Sequence, residues 1–265
     1  MERRHRARDS SARALRASDA RGRERASERA ERSRHTMTPT PIFGRVFLGA
    51  RAPTRADARL ACEHGLRCGH NYPSELVGTS DCDEEAPGQR ARLEGQRRRS
   101  WAIDRTRARV GRGARAYERA VKALKSWEHF DLGWARVSRE SGTAVGDAVC
   151  VEARVAGAWI RNPLRIVELR EREKRASGGA SSSSGARAKA RFALAHGTLG
   201  GHLLAGEERF SVELAEDGEV FYEAYAFSRP AHALSVVSYP FVRLLQKRFH
   251  WDSSRAMRKI LSEAE

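Results

Sequence analysis

The segment from His196 to His232, HGTLGGHLLAGEERFSVELAEDGEVFYEAYAFSRPAH, constrains the fold of this chain more than any other. A glycine-rich turn carrying His202 and the acidic pair Glu207 and Glu208 opens it. Phe210, Val212 and Leu214 then alternate with polar residues, as in a half-buried strand. Asp217-Gly218 is a tight-turn signal, because both central positions of a type I′ turn need positive φ. The chain returns through the aromatic-rich run Val220 to Phe227. It stops at Ser228-Arg229-Pro230, where proline has no N–H to give a ladder. The block predicts an antiparallel β-hairpin with a polar cluster at its entrance.

The rest of the chain supplies partners for that hairpin. Ile42 to Leu48 (IFGRVFL) reads as a short strand and Arg55 to His64 as a short helix. Asn71-Tyr72-Pro73 begins a turn-rich stretch, and the polar residues 81–100 read as a loop or insert. Trp101 to Val110 looks extended. Gly111-Arg112-Gly113 precedes a helix whose Tyr117, Ala120, Val121, Leu124 and Trp127 share one face. This glycine pair reads as a helix entry rather than a phosphate-binding turn, since no third glycine and no Lys-Ser follow. Trp134 to Val137, Thr143 to Val155 and Leu164 to Leu169 are further strand candidates. Residues 175–190, with GGASSSSG, have linker composition. The C-terminal stretch is helical, with Val237, Phe241, Leu244 and Leu245 followed by Ala256, Met257, Ile260 and Leu261. That helix is expected to lay its apolar residues on the sheet and to turn Arg243, Lys247 and Arg248 to solvent or an anionic surface.

This order implies an α+β fold: a curved antiparallel sheet packed on a long C-terminal helix, of helix-grip type. It spans 41–265 as a single domain with low-complexity inserts near 81–100 and 175–190. Residues 1–36 are arginine, alanine, serine and glutamate with Leu15 as the only large aliphatic, and read as a disordered basic tail. Three origins fit the tail: an untargeted extension, a start that truly lies at Met37, or a transit peptide. Its acidic residues argue against the last.

The formal net charge is +16, which suggests an anionic partner. The arginines are spread rather than set beside aromatics, and no nucleic-acid-binding signature is present, so no nucleic acid is expected. No apolar run reaches the roughly 20 residues of a membrane-spanning helix. Cys62, Cys68, Cys82 and Cys150 lack the paired spacing of a structural zinc site and read as reduced thiols.

Five blocks occur together in order: NYPSELVGTS at 71–80, VGRGARAYERAVKALKSW at 110–127, PLRIVELRE at 163–171, the hairpin, and YPFVRLLQKRF at 239–249. This set resembles an uncharacterised domain-of-unknown-function family of bacteria, plants and algae. Its plant members include a chloroplast outer-envelope protein of twenty-three kilodaltons, assigned as channel-forming. The resemblance covers most of 42–260 and implies a chloroplast location, with an outer-envelope channel as one alternative; the reduced thiols by themselves suit any intracellular compartment, the cytoplasm included. The arginine-rich tail and the two inserts fall outside the family pattern, which also tends to an aromatic residue where His196 stands.

Among polar constellations, His202, Glu207 and Glu208 stand out. Their spacing matches no metal motif, and a turn with a buried ion pair is the simpler reading. Strand parity puts Glu208 on the face of Phe210 and Val212, where Arg165 or Arg229 would be its partner. Ser228 and Cys150 have no local activating context, so no catalytic residue, metal or cofactor is expected, although an enzyme of unknown reaction stays as a second alternative. The candidate ligand-contacting residues are Asn71, Tyr72, His202, Glu208, Tyr225 and Arg229. The expected function is binding of a small apolar or amphipathic ligand, or action at an organelle surface.

Overall fold

The computed structural model describes residues 44–80, 101–139, 141–173 and 189–263. The tail at 1–36, the insert near 81–100 and nearly all of the insert at 175–190 lie outside the described residues. The strands are β1 (Phe47–Gly49), β2 (Ala102–Arg112), β3 (Ala135–Val137), β4 (Ala148–Val155), β5 (Ala158–Glu173), β6 (Ala190–Thr198), β7 (Leu204–Leu214) and β8 (Glu219–Pro230). The helices are α1 (Arg55–Cys68), α2 (Gly113–Lys125), α3 (Ala233–Val237) and α4 (Tyr239–Ser262). One curled antiparallel sheet runs β2-β8-β7-β6-β5-β4-β3, with β1 paired to the start of β5. The α+β architecture read from the sequence, a curved sheet closed by a C-terminal helix, is therefore the fold observed. The expected hairpin is β7 and β8, but its loop is Ala215 to Gly218, closed by the Gly218 N–H on the Ala215 carbonyl at 3.0 Å. Gly218 has φ +84° while Asp217 does not take positive φ, so the turn is not the type I′ that Asp217-Gly218 predicts.

Alternation assigns the two faces. On β2, Arg105, Arg107 and Arg109 point outward and meet Glu223, Glu213 and Glu219 at 2.9, 2.9 and 3.0 Å. The intervening Ala108 and Val110 point inward to the core. There they join Phe192, Leu194, Phe210, Val212 and Tyr222 beneath the apolar face of α2, formed by Tyr117, Ala120, Val121 and Leu124. Gly113 starts α2 at φ +86°, with its N–H on the Gly218 carbonyl at 2.7 Å, so the glycine pair is indeed a helix entry.

The C-terminal helix differs from its expected orientation. Val237 belongs to the separate α3 and is 86% exposed, while Leu244 is 64% exposed. Arg243 does not face solvent; it forms a bidentate pair with Asp104 of β2, with Nη2 2.6 Å from Oδ1. The inward stripe runs instead through Val242, Leu245, Gln246, Phe249 and His250, then Ser253, Ser254, Met257 and Leu261. Four of these are polar, so a search for apolar periodicity alone rotates the helix. The C-terminal half of α4 is packed in the core through Met257 and Leu261. The N-terminal half spans the open end of the sheet.

Candidate functional site

Between that N-terminal half and the sheet lies a cavity of about 400 Å³. Its walls are apolar: Val151, Ala153, Ile160 and Leu164 from β4 and β5, with Phe241, Leu245 and Phe249 from α4. The helix is held over this space by polar ties. Arg243 grips Asp104 and donates to Gln246 Oε1 at 2.8 Å, and Gln246 Nε2 donates to Ser228 Oγ at 2.8 Å. Trp134 Nε1 donates to Asp252 at 2.9 Å.

A polar cluster stands among these apolar walls. Glu208 Oε1 is 3.0 Å from His250 Nε2. Thr106 Oγ1 is 3.4 Å from His250 Nδ1. With Nε2–H donating to the carboxylate, Nδ1 is left to accept from the threonine hydroxyl. His196, register partner of Glu208 on β6, places Nε2 4.0 Å from Glu208 Oε2. The residue is 2% exposed, and apart from the pull of its own backbone carbonyl neither ring nitrogen has a hydrogen-bond partner among the described residues. Burial lowers the His196 pKa below the ordinary histidine value, against the opposing pull of Glu208. The partner of Glu208 is thus a histidine of α4 rather than Arg165 or Arg229. Arg165 Nε donates to the Gly146 carbonyl at 3.0 Å, and Arg229 lies over the Trp101 ring at 4.5 Å.

The neighbouring Glu207 points through the other face of the sheet and is saturated. It accepts from Tyr72 Oη at 2.7 Å, the Gly78 N–H at 2.6 Å and the Ser80 N–H at 3.0 Å. Burial raises its pKa and these donors hold it back. The backbone beside it allows no side chains. A Cβ on Gly197 would stand 2.1 Å from Tyr72 Oη, and one on Gly206, at φ +143°, would stand 1.9 Å from the Phe227 carbonyl oxygen.

Of the six candidate residues, His202 and Glu208 line the cavity. His202 accepts from the Leu204 N–H at 2.9 Å, and burial lowers its pKa. The other four do not line it. Asn71 donates to the Leu204 carbonyl at 2.9 Å, and Tyr72 is the Glu207 donor. Tyr225 packs with Tyr72, Trp101 and Phe227 on the outer face, under the Arg209 guanidinium at 5.2 Å, and Arg229 caps Trp101. His250, Thr106 and Gln246 were not legible as site residues. The one signal was that Gln246 and His250 lie one turn apart on α4, in line with Val242.

Residues 86–256 match the family described as Domain of unknown function (DUF1990). A UPF0548 protein of Arabidopsis thaliana is 41% identical over 159 residues, 60% of this chain and 73% of its own length. A UPF0548 protein of Dictyostelium discoideum is 33% identical over 168 residues, again 60% and 73%. One of Deinococcus radiodurans is 32% identical over 152 residues, 56% and 73%. Among solved structures, Ara h 8.0201 aligns at 11% identity and a TM-score of 0.37, covering 62% of this chain and 99% of that one. The family match spans more than half of the chain, and the same uncharacterised group recurs in a plant, an amoeba and a bacterium: the chain belongs to the DUF1990 family.

Proposed function

We propose that this protein binds a small amphipathic ligand in the cavity under α4. The observation that carries the reading is a space of about 400 Å³ with apolar walls and a polar cluster of His196, Glu208 and His250 in one place. Small-molecule sites combine those two features, at volumes of roughly 300–1,000 Å³. The full chain, purified without detergent, is expected to bind an apolar fluorescent reporter with one-to-one stoichiometry. It is also expected to release a co-purified lipid-like molecule on denaturation, read by mass spectrometry. Absence of both would remove the reading.

The ligand is exchanged at an anionic membrane surface in this proposal, an organelle envelope being one such surface. Support comes from the exposed apolar residues Leu234, Val237, Phe241 and Leu244 near the cavity, with Lys247 and Arg248 exposed on the next turn. Apolar contact and basic charge together are what interfacial binding uses. Cosedimentation with vesicles of neutral and anionic lipid tests it: binding should need the anionic lipid, weaken with salt, and drop in the double variant Val237→Asp, Leu244→Asp.

The channel alternative implied by the plant resemblance has less support. A membrane barrel turns apolar side chains outward to lipid. Here β2 turns Arg105, Arg107 and Arg109 outward, and the inner face is filled by α2 and the C-terminal half of α4. None of the helices among the described residues is long and apolar enough to cross a membrane.

A further inference from the structure

The polar cluster also carries information about which end group the ligand has. Resting on the cavity reading, we infer that the Glu208–His196 gap receives a neutral hydroxyl, so that the ligand is an apolar alcohol rather than a fatty acid or a hydrocarbon.

The argument is one of donors and acceptors. Glu208 Oε1 is engaged by His250 at 3.0 Å. Glu208 Oε2 faces His196 Nε2 across 4.0 Å, too far for a direct hydrogen bond. An oxygen about 2.7 to 2.9 Å from both atoms would see them at an angle of roughly 90°, which a hydroxyl can span. The hydroxyl would donate to Oε2 and accept from the His196 Nε2–H. That gives Nε2 a partner on a histidine which is 2% exposed and whose ring nitrogens have no hydrogen-bond partner among the described residues. A buried polar group of this kind is costly to leave unpaired. Its neutral form, favoured by burial, has one N–H for this purpose.

Other end groups fit worse. A carboxylate has no proton to give Oε2 and would place a second negative charge beside the Glu208 carboxylate. An ammonium could donate to Oε2, but it pairs with His196 only when the ring proton sits on Nδ1 and Nε2 is bare, and it brings a second charge into an apolar space. A hydrocarbon leaves both groups as they are. The rings packed round His196, Trp127, Phe130 and Phe210 at centroid distances of 6.1, 6.3 and 5.6 Å, offer its N–H no acceptor.

The test is displacement of the apolar reporter from the full chain by dodecanol, dodecanoate, dodecylamine and dodecane. Dodecanol should displace at a concentration about tenfold or more below each of the others, the size expected of one buried hydrogen-bonding pair. Histidine-196 is then replaced by an aromatic of similar shape, His196→Phe, which should erase the advantage of dodecanol over dodecane while dodecane still competes. Glu208→Gln should narrow the gap between dodecanol and dodecanoate. Equal displacement by all four compounds would overturn the hydroxyl inference and leave the cavity reading standing, as would dodecanoate or dodecylamine ranking first. Failure of the reporter and all four compounds to bind would overturn both. The wild-type ranking decides the matter even if a variant fails to fold.

Discussion

The two ends of the inner face of the sheet are covered by one helix, and they are built differently. At the closed end, α4 presents Met257 and Leu261 to a continuous core that includes Phe210, Val212 and Tyr222, with α2 beside it. At the open end the same helix presents Leu245, Gln246, Phe249 and His250 to a cavity, and it is held there by side-chain hydrogen bonds and ion pairs. Apolar contact holds the first end, and side-chain polar ties fasten the second. The contrast teaches that a helix can be a core element and a roof along one length. The switch lies where the inward stripe changes from Phe249 and His250 to Ser253, Ser254 and Met257.

The contrast can be broken most forcefully at the closed end. Met257 is fully buried, and Met257→Ala should destabilise the protein by about 2–5 kcal/mol in chemical unfolding while leaving reporter affinity near the parent value. A loss of under about 1 kcal/mol would mean that the C-terminal half of α4 is also a roof.

Acid should weaken the closed end next. His129 is fully buried among Trp127, Phe130 and Phe210, and burial pushes its pKa down to about 3 from 6.5. The folded state thus excludes a proton that the unfolded chain takes up below about pH 6.5. Its contribution to stability is complete above that pH and is lost progressively as pH falls toward about 3, by roughly 3 kcal/mol near pH 4.5. The raised pKa of Glu207 acts in the opposite sense, so the measurement is the difference between the parent and His129→Phe. The variant should lose less stability between pH 7 and pH 4.5; parallel curves would show that His129 is protonated in the fold.

The roof is tested by Asp104→Asn, which weakens the bidentate grip on Arg243. Both partners are mostly buried, and the expected cost is about 1–2 kcal/mol, with faster reporter release in stopped flow. Unchanged release would show that this tie does not hold the helix. The smallest effect on stability belongs to Phe241→Ala. This ring is 45% exposed at the cavity edge, so the change should cost under about 1 kcal/mol yet lower reporter affinity. A cost of several kcal/mol would place Phe241 in a packed core and erase the distinction between the two ends.

Much of the fold was legible because its signals are local. Alternation marked Phe210, Val212 and Leu214, the Asp217-Gly218 turn set the hairpin, and the face Tyr117, Ala120, Val121 and Leu124 gave α2 with its inward side. Parity put Glu208 inside, where it is. What could not be read was what crosses from element to element. The partner of Glu208 lies 42 positions away on α4, and Thr106 reaches His250 over 144. Nothing in the neighbourhood of any one of them announces the others. The α4 stripe was misplaced for a related reason: Gln246, His250, Ser253 and Ser254 face inward, so polarity and burial part company where the helix roofs a polar cluster. Asn71, Tyr72 and Tyr225 looked like ligand contacts by their chemistry, yet Asn71 holds the Leu204 carbonyl, Tyr72 donates to Glu207 and Tyr225 packs on the outer face of the sheet.

Gly197 and Gly206 sit on neighbouring strands beside the floor of the cavity, and each would collide with its surroundings on gaining even a methyl group. That has a consequence for how such a protein diversifies. Substitution is sterically closed at both positions, on Gly206 against the Phe227 backbone and on Gly197 against Tyr72 on the outer face, so a lineage cannot reshape this part of the sheet by adding bulk. The roof has more freedom: Phe241 and Leu245 can change size without disturbing the core, and the ties of α4 set how high it stands. Differences in ligand preference among descendants of this fold should therefore accumulate along the first turns of α4 while the two glycines beneath stay fixed.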